Sequence, residues 1–451
     1  MRKIEVTGKA RRGRALRLLS ACAKTALMKV WNDLPSCLAL VMCVVCSCSK
    51  SPQERAQIHY DSGVKQLTAG RQSDAIDAFT TAIQSDPKFS PAYLARGQCH
   101  YALKDFKAAE ADFSMAIQLE PGDVNAYNGR GASRLNLREV DEAVTDFDKV
   151  VELMPDEAVG YRNRAAAHMM AMESEKGVAD ASKAIEMDGD DAFSYHIRAA
   201  GKGSMKDYQA ALVDCNKAIE LAPTNGEVYA GRGSLRVLMD DFPATEADIS
   251  RALEISPKSA SAYIVRGLMK EKQSDNDGAL ADFNQAIQLN PETPDPDPYE
   301  LLGLLQYDLS QWTVALQNLN KSVELRTTEN DPHFYIWLIR TQKGEQDAAN
   351  KELTQFLKSL RTDRAKKWQG SVARYLTGAL PENEFFDQAT STAERPSAVR
   401  GQKCESFYYA GMKHKIAGDK QGAAELFQKS VDTGDDNAFT YFSAKVELRR
   451  R

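Results

Sequence analysis

The sequence is short of the residues on which most catalytic and metal sites depend. Of its eight cysteines, five lie between Cys22 and Cys48, and Cys99, Cys215 and Cys404 are scattered over the rest of the chain. Isolated thiols provide neither a disulfide framework nor the ligand spacing of a zinc site. The six histidines form no His-Glu-x-x-His pair, and no segment has the strand–turn–helix context of a nucleophile or a phosphate loop. We therefore predict a protein that is not an enzyme and that needs no cofactor and no metal ion.

An excess of basic residues is also missing from most of the chain. Residues 1–47 carry nine Lys or Arg and two Asp or Glu, whereas the remaining 404 residues carry 49 basic and 61 acidic side chains, a formal net charge of −12. Binding to a phosphate backbone requires a basic face. This distribution argues against a nucleic-acid partner and favours protein partners.

The apolar run near the N-terminus is too short to cross a membrane with ease. It covers residues 34–47, which is 14 residues against the roughly 20 of a membrane-spanning helix. A basic segment precedes it, as in a signal peptide. Either Met1 or Met28 is the start of the chain, and both starts leave the same mature protein.

The end of this run, with the sequence VCSC at residues 45–48, resembles the bacterial lipobox. The resemblance implies that residues 1–47 are a lipoprotein signal peptide, that Cys48 is acylated and that residues 48–55 are a tether. Ser49 is not acidic, which by the same resemblance implies the periplasmic face of the outer membrane. The alternatives are a periplasmic or inner-membrane-tethered protein, with an uncleaved anchor or an ordinary signal peptide in place of the lipid.

Proline recurs at multiples of 34 residues, which is the most regular pattern in the chain. The series is Pro87, Pro121, Pro155, Pro223, Pro257 and Pro291, and Gly189 takes the one missing place. Such a period is the signature of a repeat protein. Seven repeats in phase then occupy residues 56–290. They begin at Ala56, Ser90, Val124, Ala158, Ala192, Gly226 and Ala260.

Several positions keep their character from repeat to repeat. Position 4 is His59, Tyr93, Tyr127, Tyr161, Tyr195, Tyr229 or Tyr263, and position 8 is Gly63, Gly97, Gly131, Ala165, Ala199, Gly233 or Gly267. Position 24 is large and apolar in most copies, as at Phe79. This pattern resembles the tetratricopeptide consensus. The resemblance implies an all-α fold, a right-handed superhelical solenoid of antiparallel helix pairs.

Beyond the seven repeats, we predict helices that gradually lose the phase. Residues 291–298 contain four prolines and are predicted to be a stiff, non-helical hinge. An eighth repeat follows at residues 299–327, and divergent helical hairpins at residues 331–386. A loop is predicted at residues 387–403, before a final repeat and a capping helix at residues 404–451. Such a cap would cover the apolar face that the last repeat leaves open.

The C-terminal third resembles a particular family. The segments DPHFYIWLIR, KKWQGSVARYLTG and CESFYYAGMKHKIAGDKQGAAELFQKSV are similar in order and sequence to the C-terminal half of the NlpI-like tetratricopeptide lipoproteins of Gram-negative envelopes. That resemblance implies a homodimeric outer-membrane scaffold that presents peptidoglycan hydrolases to a periplasmic protease. The longer regular array ahead of these segments is a departure from that family, and it leaves the partners undetermined.

A charged pair accompanies six of the repeats. Position 7 is arginine and position 23 is aspartate in repeats two to seven, and both are absent from repeats one and eight. The pairs are Arg96 with Asp112, Arg130 with Asp146, Arg164 with Asp180, Arg198 with Asp214, Arg232 with Asp248 and Arg266 with Asp282. Because the two residues appear and disappear together, we interpret them as a structural ladder. An arginine track for anionic ligands is the alternative.

The concave groove of a tetratricopeptide stack is lined by positions 2, 5, 9 and 12 of the first helices. The candidates here are Tyr60, Gln98, Tyr101, Asn128, Arg162, Met169, Phe193, His196 and Glu227. This mixture suits an extended peptide or a partner helix. Burial of Met169 and Phe193 against a second copy, in a homodimer, is an equal alternative.

These observations predict a lipid-anchored scaffold of the bacterial envelope that organises peptidoglycan hydrolases or a periplasmic protease. The alternative is a tetratricopeptide assembly factor or co-chaperone that binds other clients and has no role at the cell wall. A third hypothesis, a glycan-active enzyme, lacks a pair of carboxylates that the sequence would place in one cleft.

Overall fold

The computed structural model describes residues 50–289, 295–325, 332–359, 363–393, 396–435 and 439–450. In these ranges every element is an α-helix, 23 in all, which confirms the predicted all-α class. The chain divides into two compact units, residues 1–133 and 134–451. The predicted signal peptide and Cys48 lie outside the described residues. None of the described helices combines the length and the apolar character that crossing a membrane requires.

The regular array consists of sixteen helices, two for each of the eight repeats. They are α1 Pro52–Thr68, α2 Gln72–Ser85, α3 Ser90–Ala102, α4 Phe106–Leu119, α5 Val124–Asn136, α6 Val140–Leu153, α7 Ala158–Met170, α8 Ser174–Met187, α9 Ala192–Ser204, α10 Tyr208–Leu221, α11 Gly226–Leu238, α12 Phe242–Ile255, α13 Ala260–Lys272, α14 Asn276–Leu289, α15 Pro296–Asp308 and α16 Trp312–Leu325. From the second repeat onward, the first helix covers positions 1–13 and the second covers positions 17–30.

The recurrent proline fixes where each second helix ends. A residue that precedes proline is displaced from the helical region of the backbone. Asp86 and Glu120, which stand before two of these prolines, accordingly have φ values of −145° and −132°. In each unit a tyrosine of the next first helix reaches back to the proline. The hydroxyls of Tyr93 and Tyr229 each donate to a proline carbonyl oxygen at 3.3 Å.

The turn inside each repeat contains a residue in the left-handed region, always at position 15. This residue is Gly70 in the first repeat and a non-glycine residue in the next seven: Lys104, Arg138, Met172, Lys206, Asp240, Ser274 and Ser310, with φ between 56° and 65°. A side chain at such a φ costs about 1 kcal/mol. The aspartate that follows, as at Asp105 and Asp241, caps the second helix.

Replacement of Met172 by glycine is therefore expected to raise the free energy of unfolding by about 0.5–1 kcal/mol. Met172 has a φ of 57° and is 75% exposed, so its side chain contributes little packing. Urea unfolding monitored by circular dichroism measures the change. Gly70→Ala, at a site with no neighbouring atom within 4 Å, is the matched control and should have the opposite sign. A fall in stability for Met172→Gly would contradict the account of the turn.

Positions 8 and 24 complement each other in volume. A Cβ atom on Gly97 would lie 2.9 Å from the Phe113 ring, and one on Gly267 would lie 2.5 Å from Phe283. Where position 8 is alanine, position 24 is small: Ala165 goes with Ala181, and Ala199 with Cys215. Glycine is thus required only opposite a bulky partner, because the helix backbone rests directly on the ring.

The last seven helices lie beyond the regular array and pack around one aromatic core. They are α17 Pro332–Gln342, α18 Gln346–Ser359, α19 Asp363–Leu376, α20 Glu382–Ser391, α21 Pro396–Ile416, α22 Lys420–Asp432 and α23 Phe439–Arg449. Phe385 stacks between Trp368 and Tyr375, with ring centroids 5.4 and 4.3 Å away. The hydroxyl of Tyr408 donates to that of Tyr307, which belongs to the eighth repeat, at 3.1 Å. The divergent end is therefore continuous with the eighth repeat.

Three predicted segments are wrong in part. Residues 52–55 of the predicted tether belong to α1. Residues 296–298 of the hinge form the first turn of α15, where proline is tolerated because the first N–H groups of a helix need no partner within it. Residues 291–294 lie outside the described residues. The predicted loop at residues 387–403 is helical at residues 387–391 and 396–403. Its serine, threonine and alanine content suggested a loop, yet α21 buries Cys404 and Tyr408 and so extends beyond the repeat unit.

Candidate functional site

In five of the six ladder pairs, the arginine forms a fork with the aspartate of its own repeat. The two N–O distances lie between 2.6 and 3.0 Å in the pairs of Arg96, Arg164, Arg198, Arg232 and Arg266. Four of these five aspartates are buried and Asp180 is half-buried, and the arginine side chains are about three-quarters or more buried. For Asp282, burial opposes ionisation, but hydrogen bonds from Arg266 and Lys270 outweigh it and lower the pKa.

The same arginines also reach the preceding repeat. Their third nitrogen donates to position 25 of the preceding second helix: Arg96 to Thr80 at 3.0 Å, Arg130 to Ser114 at 3.3 Å, Arg164 to Asp148 at 2.7 Å, Arg198 to Ser182 at 3.4 Å and Arg232 to Asn216 at 2.7 Å. Each guanidinium also lies 5.1–5.9 Å from the ring of the position 4 tyrosine. One side chain thus joins three helices.

Position 11 places a second basic side chain next to each ladder aspartate, and the sequence alone did not lead us to predict this contact. Lys202, Arg236 and Lys270 approach Asp214, Asp248 and Asp282 at 2.6–2.8 Å, and Arg134 approaches Asp146 at 2.8 Å. His100 and His168 hold the same place at 3.9 and 3.7 Å from Asp112 and Asp180. In the sequence this feature is visible as Lys, Arg or His at position 11 of repeats two to seven.

The eighth repeat has a neutral version of this arrangement. Leu302, Gln306 and Asn318 stand at positions 7, 11 and 23, and the Asn318 amide donates to Gln306 Oε1 at 2.8 Å. Positions 11 and 23 therefore remain in contact although all three positions are uncharged. This repeat shows that the fold does not require the charges themselves.

Within each unit, first helices of neighbouring repeats pack side by side: α1 on α3 in the first unit, and α7, α9, α11 and α13 in succession in the second. Each unit therefore presents a surface made of first helices. Gln98 in the first unit and Phe193 and Glu227 in the second are exposed on these surfaces. Phe193 is 50% exposed, which is high for a phenylalanine. Glu227 accepts from the hydroxyls of Ser259 and Ser261 at 2.9 and 2.5 Å, and so joins two adjacent first helices. These three residues are available to a partner.

Three other candidates are half-buried on the same helices. The Tyr101 ring packs edge-on against Phe106, with centroids 5.4 Å apart. Arg162 lies 3.7 Å from Asp191, the N-cap of the next first helix. Asn128 is also half-buried. Each of these three side chains is therefore partly accessible at the surface.

The last three candidates are half-buried and pack against other helices. Tyr60 packs on Phe79 and Phe89, with centroids 5.5 and 5.7 Å apart. Met169 lies in the cluster around Ala165, Ala181 and Ile197, because Gly177 and Gly201 leave room for its sulfur. His196 packs against Gly231. Its Nδ1 has no hydrogen-bond partner among the described residues, and burial lowers its pKa. Gly201 and Gly231 belong to the repeats that follow Met169 and His196, so a pattern within one repeat does not include them. The partners of Tyr60, in contrast, lie in its own repeat.

The thiols in the described residues are buried and unreactive. Cys99, Cys215 and Cys404 are unpaired, and burial raises the pKa of each, that of Cys215 to about 12. A thiol that stays protonated at neutral pH is a poor nucleophile. Among the described residues, no group of three His, Cys, Asp or Glu side chains is arranged to hold a metal ion.

Comparison with known proteins supports the assignment of the repeats. The family model described as the ETO1 C-terminal domain matches residues 26–234, and the tetratricopeptide repeat model matches residues 260–293. A crystal structure of a tetratricopeptide repeat protein from Parabacteroides merdae has a TM-score of 0.50 and 18% identity; the match covers 56% of this chain and 99% of that one. The chain is a tetratricopeptide-repeat protein. No curated protein matches the sequence significantly.

Two further solved structures are less similar. The Cut9–Hcn1 hetero-tetramer of the APC/C has a TM-score of 0.47 and 17% identity over 69% of this chain and 59% of that one. YrrB, described as a tetratricopeptide protein with an unusual peptide-binding site, has a TM-score of 0.33 and 16% identity over 42% of this chain and 96% of that one. Neither match reaches a TM-score of 0.5, so neither carries a conclusion about this chain. The similarity of the C-terminal third to NlpI-like lipoproteins stays a prediction.

Proposed function

We propose that this tetratricopeptide-repeat protein is a lipid-anchored scaffold of the bacterial envelope that holds protein partners on its first-helix surface. The observation that carries the proposal is the side-by-side packing of first helices in the second unit, with the Phe193 ring 50% exposed on one of them. An exposed aromatic ring is typical of a residue that anchors a protein partner. Tetratricopeptide repeats are typically scaffolds without catalytic activity.

The envelope location rests on the sequence around Cys48. An acylated cysteine would hold the chain at a membrane even though no described helix could cross one. We expect labelled palmitate to be incorporated into the full chain in a bacterial host and to be lost in Cys48→Ala. Retention of the label by Cys48→Ala would show that the lipobox interpretation is wrong.

The partners we propose are peptidoglycan hydrolases or a periplasmic protease, by the resemblance of the C-terminal third to the envelope lipoproteins. Affinity capture from solubilised envelopes, followed by mass spectrometry, tests this class. We expect these enzymes to be enriched with the unmodified chain and reduced with Phe193→Glu. If neither class is enriched, the chain is better described as an assembly factor for other clients. A homodimer through Phe193 would instead be revealed by a change of mass in light scattering of this variant.

A further inference from the structure

A cavity of about 570 Å³ lies in the second unit between the eighth repeat and the capping helix. The ends of α11, α13 and α15 form one side, and α23 forms the other. Its walls are mostly apolar and include Val237, Leu268, Leu301, Leu305, Phe442 and Val446. This volume is in the range of cavities that hold small ligands or a few side chains of a peptide. None of the predicted groove residues lines it.

Two carboxyl groups reach this apolar cavity. Glu271, at position 12 of α13, and Asp308, at the end of α15, both line it. Burial, together with the nearby Asp308, raises the pKa of Glu271 to about 8. Burial also raises the pKa of Asp308 to about 7, although Ser443 donates to its carboxylate at 2.9 Å. Two acids held in an apolar cavity destabilise the empty protein. Such groups in a cleft indicate a binding site.

The neighbouring charged groups leave Glu271 without a cation. Lys272 donates to Asp240 at 2.8 Å, and the Lys445 ammonium lies 4.4 Å from the centre of the Tyr441 ring. Arg450 binds Glu447 and the backbone oxygen of Asp308, Lys415 binds Glu447, and Arg449 is exposed. Within the described residues, Glu271 therefore has no ion-pair or hydrogen-bond partner. A cation with an apolar body would complement the site.

We propose that this cavity binds a lysine side chain, with the apolar residues beside it, from a segment of a partner protein. The ammonium pairs with Glu271, and the aliphatic chain packs against Leu268 and Phe442. The proposal rests on the proposed function only in taking a protein as the source of the ammonium. The cavity is then a second binding site in addition to the first-helix surface, and its ligand is an ammonium group on an apolar chain.

The first experiment uses a probe that carries the ammonium alone. Binding of n-hexylammonium to the full chain at pH 8.5 is compared with 1-hexanol and hexanoate by ligand-observed NMR. We expect n-hexylammonium to bind at least about tenfold tighter than 1-hexanol, and hexanoate not to bind. Glu271→Gln should abolish the difference and leave 1-hexanol unchanged. Glu254→Gln, which removes an exposed acid of α12, is the matched control and should change nothing. Equal affinities for the two probes, or no effect of Glu271→Gln, would overturn the proposal.

The pH profile provides a second readout without any variant. Below pH 8 the ammonium must displace a proton from Glu271, so its affinity should rise with pH by up to about tenfold per unit and level off above that value. Glu271→Gln should remove most of this dependence; the remainder belongs to Asp308. A flat profile in the unmodified chain contradicts the ion pair. Because the profile is measured on the unmodified chain, it tests the ion pair even if Glu271→Gln alters the fold.

The source of the ammonium is decided by competition. Acetyl-Leu-Lys-Leu-amide should displace n-hexylammonium, and the same peptide with norleucine in place of lysine should not. If the lysine peptide fails while n-hexylammonium binds, the cavity belongs to a small amine and the proposed protein source is wrong. Neither result depends on whether partners bind at Phe193, so failure here is distinguishable from failure of the proposed function.

Discussion

Asp248→Asn is expected to lower the free energy of unfolding by about 3 kcal/mol. Asp248 is 97% buried at its side chain and binds both Arg232 and Arg236. Its neutral replacement leaves two guanidinium groups in a partly buried site without a carboxylate, and breaking one side of a buried ion pair costs about 3–5 kcal/mol. Urea unfolding of the full chain, monitored by circular dichroism, measures the loss. Binding of partners at Phe193 should persist under conditions where the variant is folded.

The eighth repeat provides the matched control for this loss. The triple variant Arg232→Leu, Arg236→Gln, Asp248→Asn reproduces the arrangement of Leu302, Gln306 and Asn318, in which two amides replace the charges. We expect it to recover the stability to within about 1 kcal/mol of the unmodified chain, because no charge is left unpaired. If Asp248→Asn is as stable as the unmodified chain and loses an anionic ligand, the arginines are a binding track rather than a structural ladder.

Gly267→Ala is expected to be nearly as damaging, with a loss of about 2–3 kcal/mol. The added Cβ would lie 2.5 Å from the fully buried Phe283 ring, closer than packed atoms approach. The two helices of the seventh repeat must then separate, which loses contact along their whole interface. Thermal and urea unfolding of the variant measure this effect.

The chain itself suggests how to relieve the clash. Ala199 faces Cys215 in the fifth repeat, so Gly267→Ala combined with Phe283→Cys transplants a pair that already packs well. Each single change should destabilise the protein, and the double variant should be less destabilised than the two losses added together, by about 1–2 kcal/mol. Strict additivity would contradict the complementarity of positions 8 and 24.

Much of the fold could be predicted because the same 34-residue pattern determines both where the helices end and how they pack against one another. The proline series fixed the ends of the second helices, and the first helices begin at position 1 from Ser90 through Pro296. The hinge at residues 291–298 and the loop at residues 387–403 were predicted less well because they were inferred from amino-acid composition, without a repeat period to place the helix ends. Pro296 lies at a helix start, where proline is favoured, and residues 396–403 are helical because α21 extends into the aromatic core.

The site was predicted less well than the fold because it depends on neighbouring repeats. Met169 is partly buried since Gly177 and Gly201 stand in adjacent helices, and a single repeat does not contain that information. Glu271 was missed because the capping helix that encloses it comes 168 residues later in the chain. Phe193, in contrast, is 50% exposed, as the position 2 pattern predicted.

Partner proteins are proposed to bind on the first helices of the repeats. A photo-crosslinking phenylalanine analogue placed at Phe193, which is 50% exposed on α9, tests this most directly when compared with the same analogue at Val213, which is 67% exposed on α10 of the same repeat. We expect crosslinked adducts with other proteins to form from position 193 and to be absent, or at least about fivefold weaker, from position 213. Adducts of equal yield from both positions, or from position 213 alone, would contradict it.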